Sequence, residues 1–342
     1  METRTKNKKR NIDEISIGSI KDSLSLKNVI ALCEYYMKQN KIEPNINKKI
    51  GINKTTIKRL VGIIEELRDL DKIIGIEDAK QTIIEHVVYL AQNLSSDEDM
   101  NHIQIVGEPG VGKTTLAHIL GGIYAGLGFL ENGEVISVTR SDLIGEHLGS
   151  TCMKTEEMLN ICRGNVMFID EVYSFGCNDR KDSFSKECLD CINQFLSTNR
   201  KDLLCIIAGY EQDIKDCVFS VNKGLERRFP FKYVLTKYNT EQLKRIFIHQ
   251  VTSNDWNIDK NEPLLDEIFN ESNMRYFDSS GGDTEILFMR CKMAHSSRIF
   301  LEHKRSSKKR TLNNIDIKRG FDMFINLKKK SKMNENISMM YI

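Results

Sequence analysis

The sequence predicts an α/β protein in which a parallel sheet flanked by helices is followed by a small all-helical domain. In the middle of the chain strand-like runs alternate with helical segments, an order typical of a parallel sheet covered on both faces. These runs lie at residues 102–106, 134–139, 166–169 and 203–208. After Tyr238 only helical patterns remain, so a separate helical domain is expected to begin there. Its predicted helices lie at residues 241–252, 263–269, 284–300 and 315–327.

An extra helical unit is predicted before the sheet. Apolar residues recur at helical spacing between Leu24 and Met37, and again from about Asn53 to Leu67. A helix-turn-helix that binds nucleic acid and a helical adaptor both fit this pattern. The adaptor is favoured, because lysines at such spacing usually line a solvated face. The predicted division is a basic tail at 1–20, the helical unit at 21–70, the α/β domain at 71–238, the helical domain at 239–330 and a second tail at 331–342.

The composition indicates an ordinary soluble protein. Of the 342 residues 40% are hydrophobic and 29% are charged, and the net charge is +2, which gives no strong bias toward nucleic acid or membranes. No apolar run approaches the roughly 20 residues that span a bilayer. The basic start has no apolar stretch behind it, as a secretory signal would. We expect a cytoplasmic protein. Nuclear import is left open by three basic clusters, at residues 6–10, 303–310 and 328–332.

The nine cysteines fit a reducing compartment. The one close pair, Cys188 and Cys191, is a C-x-x-C on a predicted helix. A zinc site built on it would need a second pair or histidines at ligand spacing, and the sequence shows neither. We therefore expect buried or half-buried thiols that behave as small hydrophobic side chains.

A glycine-rich turn between a strand and a helix predicts a phosphate-binding site. Residues 107–115 read GEPGVGKTT, which meets the pattern G-x-x-x-x-G-K-[ST]. The glycines allow successive backbone N–H groups to point at a phosphate, and the following helix adds its positive N-terminal end. We expect Lys113 to reach the β- and γ-phosphates and Thr114 to bind Mg²⁺. The predicted nucleotide-binding residues of this loop are Gly107, Glu108, Pro109, Gly110, Val111, Gly112, Lys113, Thr114 and Thr115.

Two adjacent carboxylates follow the third strand-like run. The segment VMFIDE, residues 166–171, ends in Asp170 and Glu171. Asp170 is expected to hold Mg²⁺, and Glu171 to orient and polarise the attacking water. Such a pair alone could be a solvated turn, but here it follows the phosphate loop by one strand and one helix. The combination predicts an enzyme that hydrolyses ATP, with ATP and Mg²⁺ as its cofactors.

Four motifs in the same order make this chain resemble the AAA+ ATPases of the CbbX and stage V sporulation protein K group. Residues 140–175 resemble the DLxGxYxGxT-xxKT segment and the acidic strand of that group. IIAGYEQDI at 206–214 resembles its sensor strand, NKGLERRF at 222–229 its NPGLxSRF arginine motif, and YNTEQLKRIF at 238–247 its entry into the lid. The resemblance covers about residues 70–300. It implies a P-loop NTPase sheet (the AAA+ core) followed by a small all-helical lid domain.

The resemblance also implies functional residues outside the phosphate loop. The adenine pocket is expected to be lined by Ile74, Gly75 and Ile76. The loop that grips a polypeptide in the central pore of a hexamer is matched by Glu146, His147, Leu148 and Gly149. The arginine pair is matched by Arg227 and Arg228, of which Arg228 aligns best with the finger that reaches the γ-phosphate of a neighbouring subunit.

The sequence departs from the family pattern at three places. His147 replaces the usual pore-loop aromatic residue, and grips less apolar area. The polar sensor residue at the end of the fourth strand falls at Tyr210 or Glu211, and both remain candidates. Thr284 takes the position of the lid arginine that contacts ATP, so this contact is lost or is supplied elsewhere, with Arg290 as a weak candidate.

The leading hypothesis is a homo-hexameric ATPase that remodels a protein partner through a central pore. A nucleic-acid-handling ATPase, such as a loader of replication or packaging machinery, is the less favoured alternative, and it rests on the basic clusters. A nucleotide-gated scaffold with little turnover is a third hypothesis, motivated by Thr284. No membrane partner is expected.

Overall fold

A five-stranded parallel sheet carries the functional motifs. Its strands are β1 Ile103–Gly107, β2 Val135–Val138, β3 Val166–Ile169, β4 Leu204–Gly209 and β5 Phe231–Leu235. The strand order is β2-β3-β4-β1-β5, and every neighbouring pair is parallel. The predicted fold class and all four predicted strands are confirmed. The fifth strand was not predicted, because β5 is a half-exposed edge strand without a continuous apolar run.

The structure is a computed structural model that describes residues 24–38, 53–96, 98–147, 149–175, 182–259, 263–301 and 310–339. The described chain divides into two compact units. The first comprises the residues up to Gly107 together with Lys113–Leu235, and the second comprises Glu108–Gly112 and the residues from Thr236 onward. The helices of the first unit are α1 Leu26–Lys38, α2 Lys54–Gly62, α3 Ile64–Lys72, α4 Glu77–Ala91, α5 Lys113–Gly126, α6 Arg140–Leu143, α7 Ser150–Ile161, α8 Ser183–Thr198, α9 Glu211–Asp213 and α10 Lys223–Glu226. A 3₁₀-helix spans Val172–Phe175, and a π-helix spans Ile214–Phe219.

The central strands lie in the core of the first unit. Every residue of β3 and β4 is buried, as expected for parallel strands that are covered on both faces. Side chains from α7 and α8 pack against them, and Leu159, Leu189 and Ile192 are among the buried residues of this cluster. The rigid sheet holds the carboxyl ends of its strands at one edge, where ligands bind in open α/β folds.

The N-terminal helices α1 to α3 are part of the first unit and pack on its other helices. α1 contacts α2 and α3, while α2 contacts α4 and α3 contacts α5. The single helix predicted near residues 53–67 is two helices joined through Ile63 alone. A helix-turn-helix uses a turn of three or four residues, so this junction does not match that motif. The predicted tail at residues 1–20 lies outside the described residues.

The second unit is mostly helical. Its elements are α11 Thr240–Ser253, β6 Asn257–Ile258, α12 Pro263–Ile268, a 3₁₀-helix Met274–Tyr276, α13 Ser280–Leu301, β7 Thr311–Leu312 and α14 Asn314–Met339. The expectation of an all-helical domain was wrong in one detail, since β6 and β7 form a parallel pair. Two-residue strands are too short to produce a period-two pattern. The helix α14 also continues to Met339, past the start of the tail predicted at residue 331.

Across the parts of the chain that the structure describes, none of the helices combines the length and the apolar character needed to cross a bilayer.

Candidate active site

The two acidic residues predicted for catalysis stand directly after β3. The backbone N–H of Glu171 donates a hydrogen bond of 2.9 Å to Oδ1 of Asp170. Glu171 has a φ of 54°, a left-handed conformation that is uncommon for a residue with a side chain. Such strained backbone is concentrated at functional sites. A hydrogen bond to the carboxylate of Glu171 raises the pKa of the Tyr173 hydroxyl, so Tyr173 helps to hold this carboxylate.

Lys113 begins α5 and turns back toward the sheet. Its Nζ donates to the carbonyl of Gly107 over 3.1 Å and lies 4.0 Å from Oδ1 of Asp170. The Lys113 side chain is only 10% exposed, whereas Thr114 and Thr115, in the same helical turn, are exposed. The first unit therefore brings a cation and a carboxylate together beside exposed hydroxyls at a helix N-terminus.

The middle of the phosphate loop, Glu108–Gly112, belongs to the second unit. The N–H of Gly281 donates to the Gly110 carbonyl (3.0 Å), and the Tyr238 hydroxyl donates to the Val111 carbonyl (2.7 Å). Gly110 has a φ of +75°, and a Cβ placed there would lie 2.0 Å from the carbonyl oxygen of Ser279. Only glycine satisfies both conditions.

Two further residues of this loop have defined surroundings. Glu108 forms an ion pair of 2.7 Å with Lys237. Gly112 has a φ of +93°, which again favours glycine. Pro109 is exposed. Sequence reasoning missed Lys237, Tyr238 and Gly281, because their contacts with the loop join residues that are far apart in the chain.

A pocket of about 590 Å³ opens beside the two carboxylates in the first unit. Its wall includes Asp170 and Glu171, and also Glu146 from the predicted pore loop. The remaining lining residues are Thr139, Arg140, Ser141, Ile144, Lys154 and Ser174. The same space is therefore bounded by the candidate catalytic acids and by the base of the loop.

The predicted pore loop is an exposed turn between α6 and α7. Glu146 and His147 are exposed, and Gly149 has a φ of 87° at the start of α7. The Ser150 hydroxyl donates to the His147 carbonyl over 2.7 Å and also accepts the His147 N–H at 3.2 Å. Leu148 lies outside the described residues.

Side chains of α7 hold the segment just before this turn. Nζ of Lys154 donates to the carbonyls of Ser141 (2.6 Å) and Ile144 (3.1 Å), and the buried Thr155 hydroxyl donates to the carbonyl of Leu143 (2.9 Å). These contacts give a physical reason for the Lys-Thr pair in the motif. Both side chains donate to backbone carbonyls of the segment that leads into the turn.

The two arginines of the GLERRF segment have different surroundings. Nη2 and Nε of Arg228 donate to the Ser197 hydroxyl over 2.7 and 3.2 Å, and Nη1 lies 3.4 Å from the Gly224 carbonyl. Arg228 is half-buried, whereas Arg227 is exposed. The residue that aligns best with the finger is thus engaged within its own chain.

The two sensor candidates also differ. Glu211 forms ion pairs with Lys232 (2.8 Å) and Lys215 (3.0 Å), which lower its pKa to about 2. Tyr210 is exposed at the end of β4. Both remain candidates, but only Glu211 forms ion pairs with lysines.

Thr284 does not present its side chain to solvent. It is fully buried, and its hydroxyl donates to the Gly281 carbonyl over 2.8 Å within the first turns of α13. Arg290 is half-buried, and its Nε lacks a hydrogen-bond partner within the described residues. Neither Thr284 nor Arg290 therefore offers an exposed cation, which an arginine that contacts ATP would provide.

The segment predicted for the adenine pocket is a sharp turn before α4. Gly75 and Ile76 have φ values of 74° and 56°, and both are buried, while Ile74 is half-buried. Two consecutive left-handed residues reverse the chain where the helix begins.

Comparison with known proteins defines the class. A family model described as the ATPase family associated with various cellular activities (AAA) matches residues 103–234. The putative cfxQ-like protein R730 of Acanthamoeba polyphaga mimivirus is 36% identical over 320 residues, which cover 93% of this chain and 76% of that protein. The chain therefore belongs to the AAA ATPase family, and it is an ATP hydrolase that binds nucleotide.

The resemblance to the CbbX and stage V sporulation protein K group is confirmed as well. Stage V sporulation protein K of Bacillus subtilis is 30% identical over 58% of this chain and 63% of its own length. Among solved structures, the FIGL-1 AAA domain in complex with ADP matches with a TM-score of 0.53 and 17% identity, over 76% of this chain and 89% of that one. At this identity the likeness supports the fold alone.

Proposed function

We propose that this ATPase works as a ring hexamer that remodels or unfolds a protein partner by drawing it through a central pore. The observation that carries the proposal is the pocket lined by both Glu146 and the carboxylates Asp170 and Glu171. In the proposed ring, a movement of the carboxylates during hydrolysis reaches the pore loop across this shared space. We propose that Lys154 and Thr155 transmit it, since they fix the segment just before the loop to α7.

The proposed chemistry is phosphoryl transfer to water. The available donors suit Mg²⁺, which prefers oxygen ligands from carboxylates and hydroxyls, so Asp170 and Thr114 would hold it. The bound ion would neutralise charge on the phosphates of ATP. Glu171 orients a water molecule and accepts its proton, and Lys113 stabilises the charge that develops on the transferred phosphoryl group.

The geometry favours Arg227 as the residue that acts on a neighbouring subunit. Arg227 is exposed, whereas Arg228 is tied to Ser197 at the C-terminal end of α8. We propose that Arg228 braces the segment and that Arg227 supplies the cation in trans. Of the two sensor candidates, we favour Tyr210, because it is exposed and Glu211 is engaged with lysines.

Hydrolysis and assembly can be tested together. The wild-type chain should release phosphate from ATP, and Lys113→Ala and Glu171→Gln should each abolish this activity. Electron microscopy of Glu171→Gln with ATP should show closed or spiral six-membered rings. Consistent monomers in every nucleotide state would refute the ring. A rate unaffected by Lys113→Ala would favour the scaffold hypothesis instead.

The pore loop can be tested separately from hydrolysis. A labelled, permanently unfolded polypeptide should stimulate phosphate release by the wild-type protein, and His147→Ala should reduce that stimulation while leaving the basal rate intact. Glu157→Ala is the matched control, since Glu157 is exposed on α7 but lies outside the loop. Equal stimulation of both variants would exclude a gripping role for His147. DNA or RNA in place of the polypeptide tests the nucleic-acid alternative.

A further inference from the structure

Two cysteines that are distant in sequence meet between α7 and α8. Cys152 and Glu156 stand one helical turn apart on α7, and Cys191 faces them from α8. The ligand atoms of these three residues all lie within 4.8 Å of one another. Sγ of Cys152 lies 3.9 Å from Oε1 of Glu156, and Sγ of Cys191 lies 3.6 Å from the carbonyl of Cys152.

This spacing suits a tetrahedral metal ion. Zinc binds thiolate sulfur at about 2.3 Å and carboxylate oxygen at about 2.0–2.2 Å, so ligand atoms around it lie roughly 3.5–3.8 Å apart. Cys152 is half-exposed and Glu156 is exposed, so an ion can enter from solvent, while Cys191 is only 5% exposed and closes the inner side.

The carboxylate of Glu187 is the candidate for a fourth ligand, because it contacts the backbone of Cys152. Glu187 stands four residues before Cys191 on α8, and its Oε1 accepts the N–H of Cys152 over 3.2 Å. The two helices thus present matching pairs at spacing i, i+4, Cys152 with Glu156 and Glu187 with Cys191. Sites of this kind, built from side chains on facing helices, are common in helical bundles.

The C-x-x-C pair visible in the sequence is not the pair that meets in the structure. Cys188 is fully buried in the core cluster and has a side-chain hydrogen bond with Thr155 of α7. The thiol of Cys191 meets the carbonyl of Cys152 on that same helix, α7. The partner that sequence spacing could not reveal is Cys152, 39 residues away.

We propose that Cys152, Glu156 and Cys191 form a binding site for a thiophilic divalent cation, zinc being the expected ion, with Glu187 or water as the fourth ligand. Each thiol loses its proton to solvent as the metal–sulfur bond forms, and no oxidant is required.

The site joins the two helices that lead to the loop 146–149 and to Arg228. α7 begins at the end of the loop 146–149, and the C-terminal end of α8 carries Ser197, which holds Arg228. A metal ion bridging the two helices would couple these segments. The site requires only the packing of α7 on α8, and neither a ring nor a protein partner is needed to form it.

The test uses the full-length chain, reduced with a phosphine and freed of metal, and titrated with Co²⁺ as a spectroscopic probe. We expect thiolate-to-cobalt charge-transfer bands and the visible bands of tetrahedral cobalt, saturating at one ion per chain and displaced by Zn²⁺. Cys152→Ser should remove most of the charge-transfer intensity. Glu156→Gln should weaken Co²⁺ binding by about tenfold or more, in the range seen when groups that support a metal site are removed.

Glu157→Gln is the matched control for Glu156→Gln, since both residues are exposed acids on the same helix, and it should bind Co²⁺ like the wild type. Cys191→Ser, at a buried position, is judged only if its circular dichroism matches the wild type. If Cys191→Ser does not fold, the variants at the exposed Glu156 and the half-exposed Cys152 decide the test. Cobalt bands unchanged in Cys152→Ser, or the absence of tetrahedral bands in the wild type, would overturn the proposal. So would equal effects of Glu156→Gln and Glu157→Gln.

Discussion

Replacing Asp316 by asparagine should destabilise the second unit strongly. Asp316 is fully buried, and its Oδ2 accepts His295 Nδ1 (2.9 Å), Arg298 Nη2 (2.9 Å) and the N–H of Asn313 (3.1 Å). Oδ1 accepts Arg298 Nε at 2.8 Å. An asparagine keeps the shape but turns an NH₂ group toward at least one of these donors, and it removes the buried negative charge beside the Arg298 cation.

The size of the effect follows from the burial. Removing one partner of a buried ion pair costs about 3–5 kcal/mol. Arg298 retains access to water at 21% exposure, so we expect the lower end, about 3 kcal/mol. With a typical urea dependence of about 2 kcal/mol per molar, the unfolding midpoint should fall by about 1.5 M.

The chain carries its own probe for this measurement. Trp256 is the one tryptophan in the sequence, and its ring lies 5.2 Å from that of His295 in an edge-on contact. Its fluorescence during urea unfolding therefore reports on the second unit. Asp255→Asn is the matched control, because Asp255 is 90% exposed and its ion pair with Arg310 spans 3.8 Å. It should change the free energy of unfolding by no more than about 0.5 kcal/mol.

Acid provides a second check on the same residue. Burial alone would raise the pKa of Asp316, but hydrogen bonds from Arg298, His295 and Asn313 outweigh it and hold the pKa below the ordinary 3.8. A depressed carboxyl pKa contributes stability that is present above the unfolded-state value and is lost as the pH falls through the folded-state value. The difference between wild type and Asp316→Asn should therefore shrink below about pH 3.8. Equal midpoints for Asp316→Asn and Asp255→Asn at neutral pH would refute the reasoning.

Three further outcomes are expected. Gly110→Ala should weaken binding of a fluorescent ATP analogue by about tenfold or more, because a Cβ would lie 2.0 Å from the carbonyl oxygen of Ser279. Gly128→Ala is the control, since Gly128 has a similar φ of +78° but lies in open space, and it should change binding less than about twofold. Burial lowers the pKa of His86 to about 3, so the unfolded chain binds a proton that the folded chain refuses, and stability should fall as the pH drops from 6.5 toward 3; thermal melting of His86→Gln should show a flatter dependence. Arg228→Ala should lower the free energy of unfolding by about 1 kcal/mol, because its hydrogen bonds to the Ser197 hydroxyl are lost. Arg227→Ala should leave the melting temperature unchanged and suppress phosphate release. A loss of stability in Arg227→Ala would contradict the proposal that Arg227 acts in trans.

The features that could be predicted from the sequence are those that depend on local patterns. The phosphate loop is a contiguous run in which each residue type serves one purpose. Asp170 and Glu171 follow a strand so apolar that it had to lie inside a parallel sheet. Because β1 and β3 are parallel, the carboxyl ends of both strands face one edge, and the approach of Lys113 to Asp170 follows from this topology.

The features that could not be predicted join distant segments. β5 lies at the edge of the sheet, and only part of it is buried. Its sequence therefore lacks the continuous apolar run that marks the central strands. The meeting of Cys152 with Cys191 depends on how α7 packs against α8, and no spacing rule encodes that packing. The resemblance aligned Arg228 best with the finger, and its two hydrogen bonds to Ser197, which no local pattern encodes, distinguish its surroundings from those of Arg227.

The change at Thr284 has a structural consequence within the second unit. The first N–H groups of a helix lack intrahelical partners and commonly bind phosphate or carboxylate. At the start of α13 the N–H of Gly281 is instead donated to the carbonyl of Gly110 in the phosphate loop. Asp283 and Thr284 are both buried. Oδ2 of Asp283 accepts the N–H of Ser279 and its Oδ1 pairs with Lys328 at 2.5 Å, while the Thr284 hydroxyl donates to the Gly281 carbonyl. The helix that carries an arginine in related ATPases thus contacts the phosphate loop through its backbone. This contact involves no charged side chain, so we expect its response to nucleotide to depend on the conformation of Gly110. Gly110→Ala should therefore disturb the contact more than a change of charge on α13 would.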